Sequence, residues 1–252
     1  EALDANTTGE FNTAIGFRSA SSVTTAINNT AVGMQSLNTN TTGSSNSAFG
    51  LNSLTFNTIG SNNTSIGRSA LQANTTASNN TALGYFALKE NTTGTANVAV
   101  GANALDANTT ADNITAIGTI ALSNNTTGDN NTAVGRASLE GNTTGDDNTA
   151  VGVNALSSTT TAIRSTAIGR TALSQSTGNS NVALGYQAGN NITSGAANTC
   201  IGTGASASSA TVNNEITLGD VNVSGLRCNV QTISSLSDAR DKTNVIDLPE
   251  GL

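Results

Sequence analysis

The feature that most constrains this chain is a short motif, Asn12-Thr13-Ala14-Ile15-Gly16, which returns at one fixed interval. Its closing glycine recurs every seventeen residues as far as Gly169 and, after a single step of sixteen, continues to Gly219. A period this strict over thirteen units is typical of a solenoid, in which each unit forms one coil stacked on the last. The repeat glycines are Gly16, Gly33, Gly50, Gly67, Gly84, Gly101, Gly118, Gly135, Gly152, Gly169, Gly185, Gly202 and Gly219.

The residues before each glycine have the alternation of a β-strand. The residue directly before the glycine is always a sizeable apolar one, such as Ile15 or Phe49, and we call this set the aliphatic row. The next residue back is small, as in Ala14 and Cys200, and forms the small-residue row. Because neighbouring side chains on a strand point to opposite faces, we expect the aliphatic row to face the core and a neighbouring chain to approach the small-residue row.

The rest of the coil predicts a second anchor and two corners. Four residues after the glycine, leucine occurs in nine successive coils from Leu37 to Leu173, and we call this the leucine row. An Asn-Thr-Thr-Gly segment follows, as at residues 40–43, where Asn and Gly are expected to supply the positive φ angles of a corner. We therefore predict strand, corner, short strand, corner in each coil. The one-residue deletion falls in this corner region, between Leu173 and Gly178.

These short alternating runs favour an all-β fold, a parallel β-solenoid of about 13 coils. Stacked coils bring identical residues about 4.8 Å apart, so an amide ladder is expected along the body. Its members would be Asn29, Asn46, Asn63, Asn80 and Asn97. Cys200 occupies a slot that is alanine in most coils, which indicates a small buried side chain. Two aliphatic residues per coil offset little of the entropy lost on ordering the coil, so we expect several chains to share the leucine and small-residue faces as a homo-oligomer.

Composition excludes several classes of function. Only 10% of the residues are charged and the net charge is −7, so no basic field exists to hold nucleic acid. No apolar run approaches the length of about 18 residues that spans a bilayer, so membrane insertion is not expected. The chain has no histidine, which removes histidine-based triads and histidine metal sites. Asp146, Asp147 and Glu140 are interpreted as solvated surface, and no metal or cofactor is expected.

The motif Asn-Thr-Ala-Ile/Val-Gly, followed by two variable residues and Ala or Ser, closely resembles the head repeats of trimeric autotransporter adhesins, which also occur in bacteriophage tail fibres. The resemblance covers residues 1 to about 219. It implies a left-handed parallel β-roll in which three chains interlock as an intertwined homotrimer. The adhesin repeat is shorter than this one, because the Asn-Thr-Thr segment lengthens one corner here.

A second resemblance begins near the C-terminus. The run from Ser237 to Val245, Ser-Asp-Ala-Arg-Asp-Lys-Thr-Asn-Val, looks like the opening of the endosialidase-type intramolecular chaperone of phage tail spikes and fibres. That family implies self-cleavage of the bond between Leu236 and Ser237, with Ser237 as nucleophile and Lys242 as base. Asp241 departs from the pattern, where an apolar residue is usual. The expected organisation is a repeat fibre (1–219), a connector (220–236) and the start of a truncated chaperone domain (237–252).

Together the two resemblances imply a trimeric fibre of a phage or phage-like particle, located in the virion tail or outside the cell, that spaces or binds a host surface. Its expected partners are two further copies and a host receptor, which a glycan could provide. Spacer and receptor-binding roles stay open, because no receptor-binding residue can be named. The aromatic residues that a sugar site would use are scattered along the sequence, at Phe17, Phe56, Tyr85, Phe86 and Tyr186.

Two alternatives remain at this stage. One is a trimeric bacterial surface adhesin, which would carry a coiled-coil stalk and a membrane barrel elsewhere in the protein. The other is an ice-binding solenoid with ladders of threonine, in which the Asn and the second Thr of the Asn-Thr-Thr-Gly segment would share one face. Apart from the implied self-cleavage, no enzyme activity is expected.

Overall fold

The structure, a computed structural model, describes residues 1–225, and a three-residue strand repeated along the chain is its regular element in that range. The strands pair in parallel and in chain order, and they form one 13-stranded sheet. Together they make a β-solenoid of about 12 turns, which confirms the predicted fold class. The strands are β1 (Thr13–Ile15), β2 (Thr30–Val32), β3 (Ser47–Phe49), β4 (Thr64–Ile66), β5 (Thr81–Leu83), β6 (Val98–Val100), β7 (Thr115–Ile117), β8 (Thr132–Val134), β9 (Thr149–Val151), β10 (Thr166–Ile168), β11 (Val182–Leu184), β12 (Thr199–Ile201) and β13 (Ile216–Leu218).

The register between neighbouring strands follows the sequence period. Thr13 pairs with Thr30, seventeen residues on, whereas Thr166 of β10 pairs with Val182 of β11, sixteen residues on. The deleted residue is the exposed second threonine of the corner segment, because the chain runs directly from Thr177 to Gly178. Thr177 still donates its backbone N–H to the next coil, at 2.6 Å from the carbonyl oxygen of Thr193. The deletion therefore falls within the corner region that the sequence indicated, and it leaves the sheet in register.

The core lies inside each coil, and it contains fewer rows of side chains than the sequence predicts. The leucine row is fully buried from Leu37 to Leu173, and the small-residue row is buried from Ala31 to Cys200. The aliphatic row points outward instead: Leu83 is 44% exposed and Phe49 39% exposed. The prediction that the aliphatic row faces the core was wrong, and so was the prediction that a neighbouring chain covers the small-residue row.

The size of the coil explains this inversion. A leucine enters the interior from one side, so the strand on the other side has room only for alanine, serine or cysteine. Where serine replaces alanine on both sides, the hydroxyls bond across the core: Ser53 Oγ lies 2.7 Å from Ser65 Oγ. Since side chains alternate along a strand, an inward alanine forces both of its larger neighbours outward.

Asparagines four residues before the repeat glycines form the predicted amide ladder inside the stack. The Oδ1 atom of each accepts the backbone N–H of its equivalent in the next coil, at 2.9 Å for Asn29 and Asn46. Its Nδ2 atom donates to a carbonyl in the following corner, as Asn46 does to Gly60 at 2.8 Å. Ile114 interrupts the row, but its backbone N–H still reaches Asn97 Oδ1 at 3.0 Å. Stacked amides therefore satisfy the buried backbone at the start of each strand.

A second asparagine ladder, which the sequence analysis did not identify, runs through the corners. These residues are the Asn of each Asn-Thr-Thr-Gly-type segment, and they are fully buried from Asn40 to Asn142. Each Nδ2 atom donates to Oδ1 of the equivalent asparagine one coil earlier, at 2.8 Å for Asn57 and Asn40. It also donates to a carbonyl three residues ahead, at 2.9 Å for Asn57 and Gly60. In the coil after Asn142, Thr159 stands in place of asparagine and the ladder ends. Asn142 Oδ1 is therefore left without a hydrogen-bond partner.

The glycines serve close stacking, and the positive φ angles lie elsewhere than predicted. At Gly43 an added Cβ would lie 2.2 Å from the carbonyl oxygen of Gly60, whereas other coils hold alanine at the same position, as at Ala77 and Ala111. Positive φ occurs instead five residues before, and two and four residues after, the repeat glycine, as at Asn62 (59°), Asn52 (56°) and Leu54 (53°). The leucines thus turn the chain, and the short strand predicted between the two corners does not form in the described coils.

The repeat glycines combine both constraints. Gly101 has a φ of 133°, which side-chain-bearing residues rarely adopt, and an added Cβ would lie 2.6 Å from the carbonyl oxygen of Gly118. The same close approach recurs from Gly16 to Gly185. The strict period of the sequence is therefore a steric requirement of one coil lying directly on the next.

We predict that Asn91→Ala destabilises the fold strongly. The substitution removes the bonds from Nδ2 to Asn74 Oδ1 and to the Gly94 carbonyl, and it deprives Asn108 Nδ2 of an acceptor. Each buried polar group left unsatisfied costs about 1–3 kcal/mol. The measurement is the free energy of unfolding from denaturant titration. The control is Thr93→Ala, an exposed position in the same corner, which should change it by less than about 0.5 kcal/mol; equal effects of the two variants would contradict the ladder.

Candidate functional site

The outer face of the strands is the most extensive candidate surface. The aliphatic row runs along this face through all thirteen strands without interruption, from Ile15 to Leu218. Beside it, at the first residue of each strand, lie threonines that give way to Val98, Val182 and Ile216. Single exposed apolar residues are common on proteins, but a contiguous apolar strip marks an interaction surface. Nothing within the described part of one chain covers it.

The trailing edge of this face, defined as the two residues directly after each repeat glycine, gathers aromatic and cationic side chains. The rings of Tyr85 and Phe86 stack with centroids 3.9 Å apart. The Arg68 guanidinium lies 5.7 Å from the centre of the Tyr85 ring, and Lys89 Nζ lies 5.0 Å from that of Phe86. These four residues, Arg68, Tyr85, Phe86 and Lys89, form what we call the aromatic cluster.

The same edge carries two more cation–π pairs, one at each end of the stack. Arg18 lies 5.4 Å from the Phe17 ring centre, and Arg170 lies 5.9 Å from the Tyr186 ring centre. Four of the five aromatic residues that looked scattered in the sequence therefore share one edge, and Phe56 lies elsewhere in its coil. Aligning the coils on their glycines would have revealed this, because all four follow the glycine by one or two residues.

Acidic residues concentrate on the opposite, leading edge, which we define as the residues five and six positions before each repeat glycine. Asp112, Asp129 and Asp146 stack in successive coils. Asp129 Oδ1 accepts the backbone N–H of Asp112, and Asp146 Oδ1 accepts the backbone N–H of Asp129, each at 2.8 Å. Asp147 lies beside Asp146 on this edge, and Glu140 lies in a different part of its coil. In residues 1–225 no group of three or more Asp, Glu, Cys or His side chains has an arrangement that could hold a metal ion.

The threonine rows do not form the face that ice binding would need. The asparagine expected on that face is buried, as Asn74 shows, so the prediction that it shares a surface with the second threonine was wrong. The first threonine of the corner uses its hydroxyl internally, since Thr75 Oγ1 donates to the carbonyl of Thr92 at 3.1 Å. Of the two threonine rows in the corner, only the second is exposed, and Ile59 interrupts it.

Cys200 fills an interior slot of the small-residue row and is fully buried, which confirms the interpretation from the sequence. Burial raises the pKa of its thiol, and this effect outweighs the opposing hydrogen bond with Thr217. A buried thiol in this state is a small apolar side chain and a poor nucleophile.

Several predicted features lie outside the described residues. They are Cys228, the bond between Leu236 and Ser237, and the pair Ser237 and Lys242, so the self-cleavage site stays a prediction. Over the described range, 1–225, no helix is long and apolar enough to cross a membrane.

Comparisons of the chain with protein-family models, with characterised proteins and with solved structures find no match.

We predict that Cys200 resists a water-soluble thiol reagent while the protein is folded. In a Cys228→Ala variant, the remaining thiol should react slowly at pH 8 and rapidly after unfolding in denaturant. The raised pKa of the Cys200 thiol also determines how stability depends on pH. Its contribution to the free energy of unfolding is fully present below the unfolded-state pKa of about 8.5. That contribution is lost as the pH rises through the folded-state pKa. The free energy of unfolding should thus fall more steeply above that pH than in a Cys200→Ala control. Rapid labelling of the folded protein would contradict this description.

Proposed function

We propose that the chain is the structural and attachment fibre of a phage or phage-like particle, and that three copies pack side by side into a rod. The observation that carries the proposal is the exposed aliphatic row on a body whose interior is otherwise complete. Buried leucines, small residues and two asparagine ladders close each coil within one chain. The apolar strip on the outside is then the surface left for other copies.

This proposal revises how the chains meet. The leucine and small-residue faces cannot be shared between chains, because one chain buries them by itself. The coils also close through hydrogen bonds within the chain, from one coil to the next. Three closed rods would therefore turn their strand faces towards a common axis. The resemblance to adhesin head repeats supports three as the number of copies.

Attachment is the second part of the proposal, and the aromatic cluster supports it. The exposed Tyr85 ring, stacked on Phe86 and flanked by Arg68, suits a saccharide that carries acidic groups, because sugar rings pack on aromatic faces while a cation pairs with a carboxylate. Tyr85 remains 44% exposed in the single chain. The resemblance to phage fibres supports a host-surface glycan as the receptor, and it supports a location in the virion or outside the cell.

We expect the 252-residue chain to have three times its own mass of 25.0 kDa in solution. The double variant Leu83→Asp with Ile117→Asp should be monomeric, because it would bring six carboxylates together near the axis. Both positions are about two-fifths exposed, so the fold of the single chain should persist. The measurement is light scattering coupled to size exclusion, with circular dichroism to follow the fold.

The matched control is Thr93→Asp with Thr127→Asp, which adds the same charges at exposed corner positions in the adjoining coils. It should remain trimeric. A wild-type monomer at micromolar concentration would overturn the assembly proposal, and equal masses for the two double variants would overturn the role of the strand face.

Attachment has a separate test. Fluorescently labelled full-length protein is incubated with a panel of bacterial cells and with their purified surface polysaccharides. We expect at least one surface to bind, and we expect the triple variant Arg68→Ala, Tyr85→Ala, Phe86→Ala to bind it at least tenfold more weakly. Phe56→Ala, an exposed aromatic outside the cluster, is the control. Trimers that bind no surface would contradict attachment and support a spacer role.

A further inference from the structure

In three of the thirteen coils the two edges of the strand face carry residues that complement each other, whereas the tenth coil carries arginine on both edges, at Arg164 and Arg170. In the first complete coil, Glu10 and Phe11 occupy the leading edge, while Phe17 and Arg18 occupy the trailing edge. Each edge thus pairs one large aromatic ring with one charge, and the charges are opposite. Phe11 is 78% exposed and Phe17 is 62% exposed, so neither ring has found a place in the chain's own core.

Other coils repeat this match with different residues. In the next coil the leading edge has Ile27 and the trailing edge has Met34, and both are more than two-fifths exposed. Further along, Asp129 on the leading edge shares its coil with Arg136 on the trailing edge.

These partners do not meet within one chain. The leading and trailing edges are separated by the three-residue strand, which by itself spans roughly 10 Å. Lys89 with Glu90 is the one ion pair in the described residues. The charges on Glu10, Arg18, Asp129 and Arg136 therefore have no ionic partner within residues 1–225 of a single chain.

A parallel trimer would bring the two edges together. If three parallel copies turn their strand faces to a common axis, the edge where a strand begins on one copy meets the edge where it ends on the next. This contact is heterologous, so it closes into a ring only when all three copies lie at the same axial level. Closure then requires each coil to contact the same coil of its neighbour, which is the arrangement that the matched residues need.

We propose that the leading edge of each copy binds the trailing edge of a second copy in register, coil against coil. Glu10 then pairs with Arg18 of the neighbour, Phe11 packs on Phe17, Ile27 packs on Met34, and Asp129 pairs with Arg136. This inference rests on the proposed trimer and identifies the residues that set its register.

The first two coils discriminate against a shifted register. A displacement of one coil would set Met34 against Ser44 or against Glu10 and Phe11, and it would separate Glu10 from Arg18. Arg136 discriminates less, because Asp112, Asp129 and Asp146 place an acid on the leading edge in three successive coils. The apolar and ionic matches near residue 10 therefore define the level, and the acidic column adds attraction.

Disulfide trapping tests this register directly. The full chain is made with Cys200→Ala and Cys228→Ala, and Phe11→Cys is combined with Phe17→Cys. Within one chain the strand between these positions holds them farther apart than the Cα separation of about 4.4–6.8 Å that a disulfide allows. Mild oxidation should therefore give covalent trimers on a non-reducing gel, with more than half of the protein cross-linked, and a reducing agent should return the monomer.

Three controls define the outcome. Each single cysteine variant should stay monomeric on the gel. Phe11→Cys combined with Leu51→Cys, two coils away on the trailing edge, should cross-link at least tenfold less, because stacking displaces that site by about 9.6 Å along the axis. More cross-linking in this pair than in the matched pair would overturn the unshifted register.

The failure of this inference is distinguishable from the failure of the trimer. Light scattering on the same sample reports the assembly before oxidation. A trimer without cross-links would overturn the edge contact and leave the proposed fibre standing. A monomer would overturn the proposed assembly itself. A covalent dimer as the end product would indicate a parallel pair of copies in place of a trimer and would contradict the inference.

Discussion

The buried asparagine amides are the interaction on which the rest of this fold depends. A coil that encloses little more than one leucine and one alanine has too small an apolar interior to hold itself together by burial alone. Asn46 and Asn57, one from each ladder, bond to equivalent asparagines in adjoining coils and to corner carbonyls. These bonds satisfy backbone groups that would otherwise be buried without partners, and each interior amide stabilises the coils on either side of it.

The ladders also impose a single register. A side chain that slipped by one residue would point outward, and its ladder partners would lose their bonds at once. The repeat glycines add a steric constraint in the same direction, since Gly101 and Gly118 approach too closely for any Cβ to fit between them. Polar and steric requirements therefore agree in every coil, and the one shortened coil lacks a residue where an exposed threonine would have stood, after Thr177.

Features that follow from the seventeen-residue period could be predicted from the sequence. Which face of each strand points into the core could not. The strand position, the parallel pairing, the ladder that includes Asn46 and the burial of Cys200 all follow from stacking identical units. Alternation cannot say which face of a strand is inside, and the assumption that the larger residue points inward placed Ile15 and Leu83 wrongly. The sequence predicts Asn40 and Asn91 as corner formers, because a buried amide and a turn residue have the same sequence signal. For the candidate surfaces, Tyr85 and Arg68 looked unrelated in the linear sequence, and only stacking brought them into one cluster.

Stacking in register has one more consequence, which concerns how such rods recognise each other. Every coil of one copy turns the same face to the same side of the rod. A weak apolar contact made by one aliphatic residue is therefore repeated along the whole rod. Repetition provides affinity but no register, because an unbroken aliphatic row packs almost equally well after a shift of one coil. Residues that differ from coil to coil must provide the register, and they do so only if they lie where two copies meet. The edges meet this requirement: Glu10, Phe11, Phe17 and Arg18 are irregular within the repeat, exposed, and matched within their own coil. The uniform interior therefore determines the stability of each rod, and the variable edges determine the alignment of its copies.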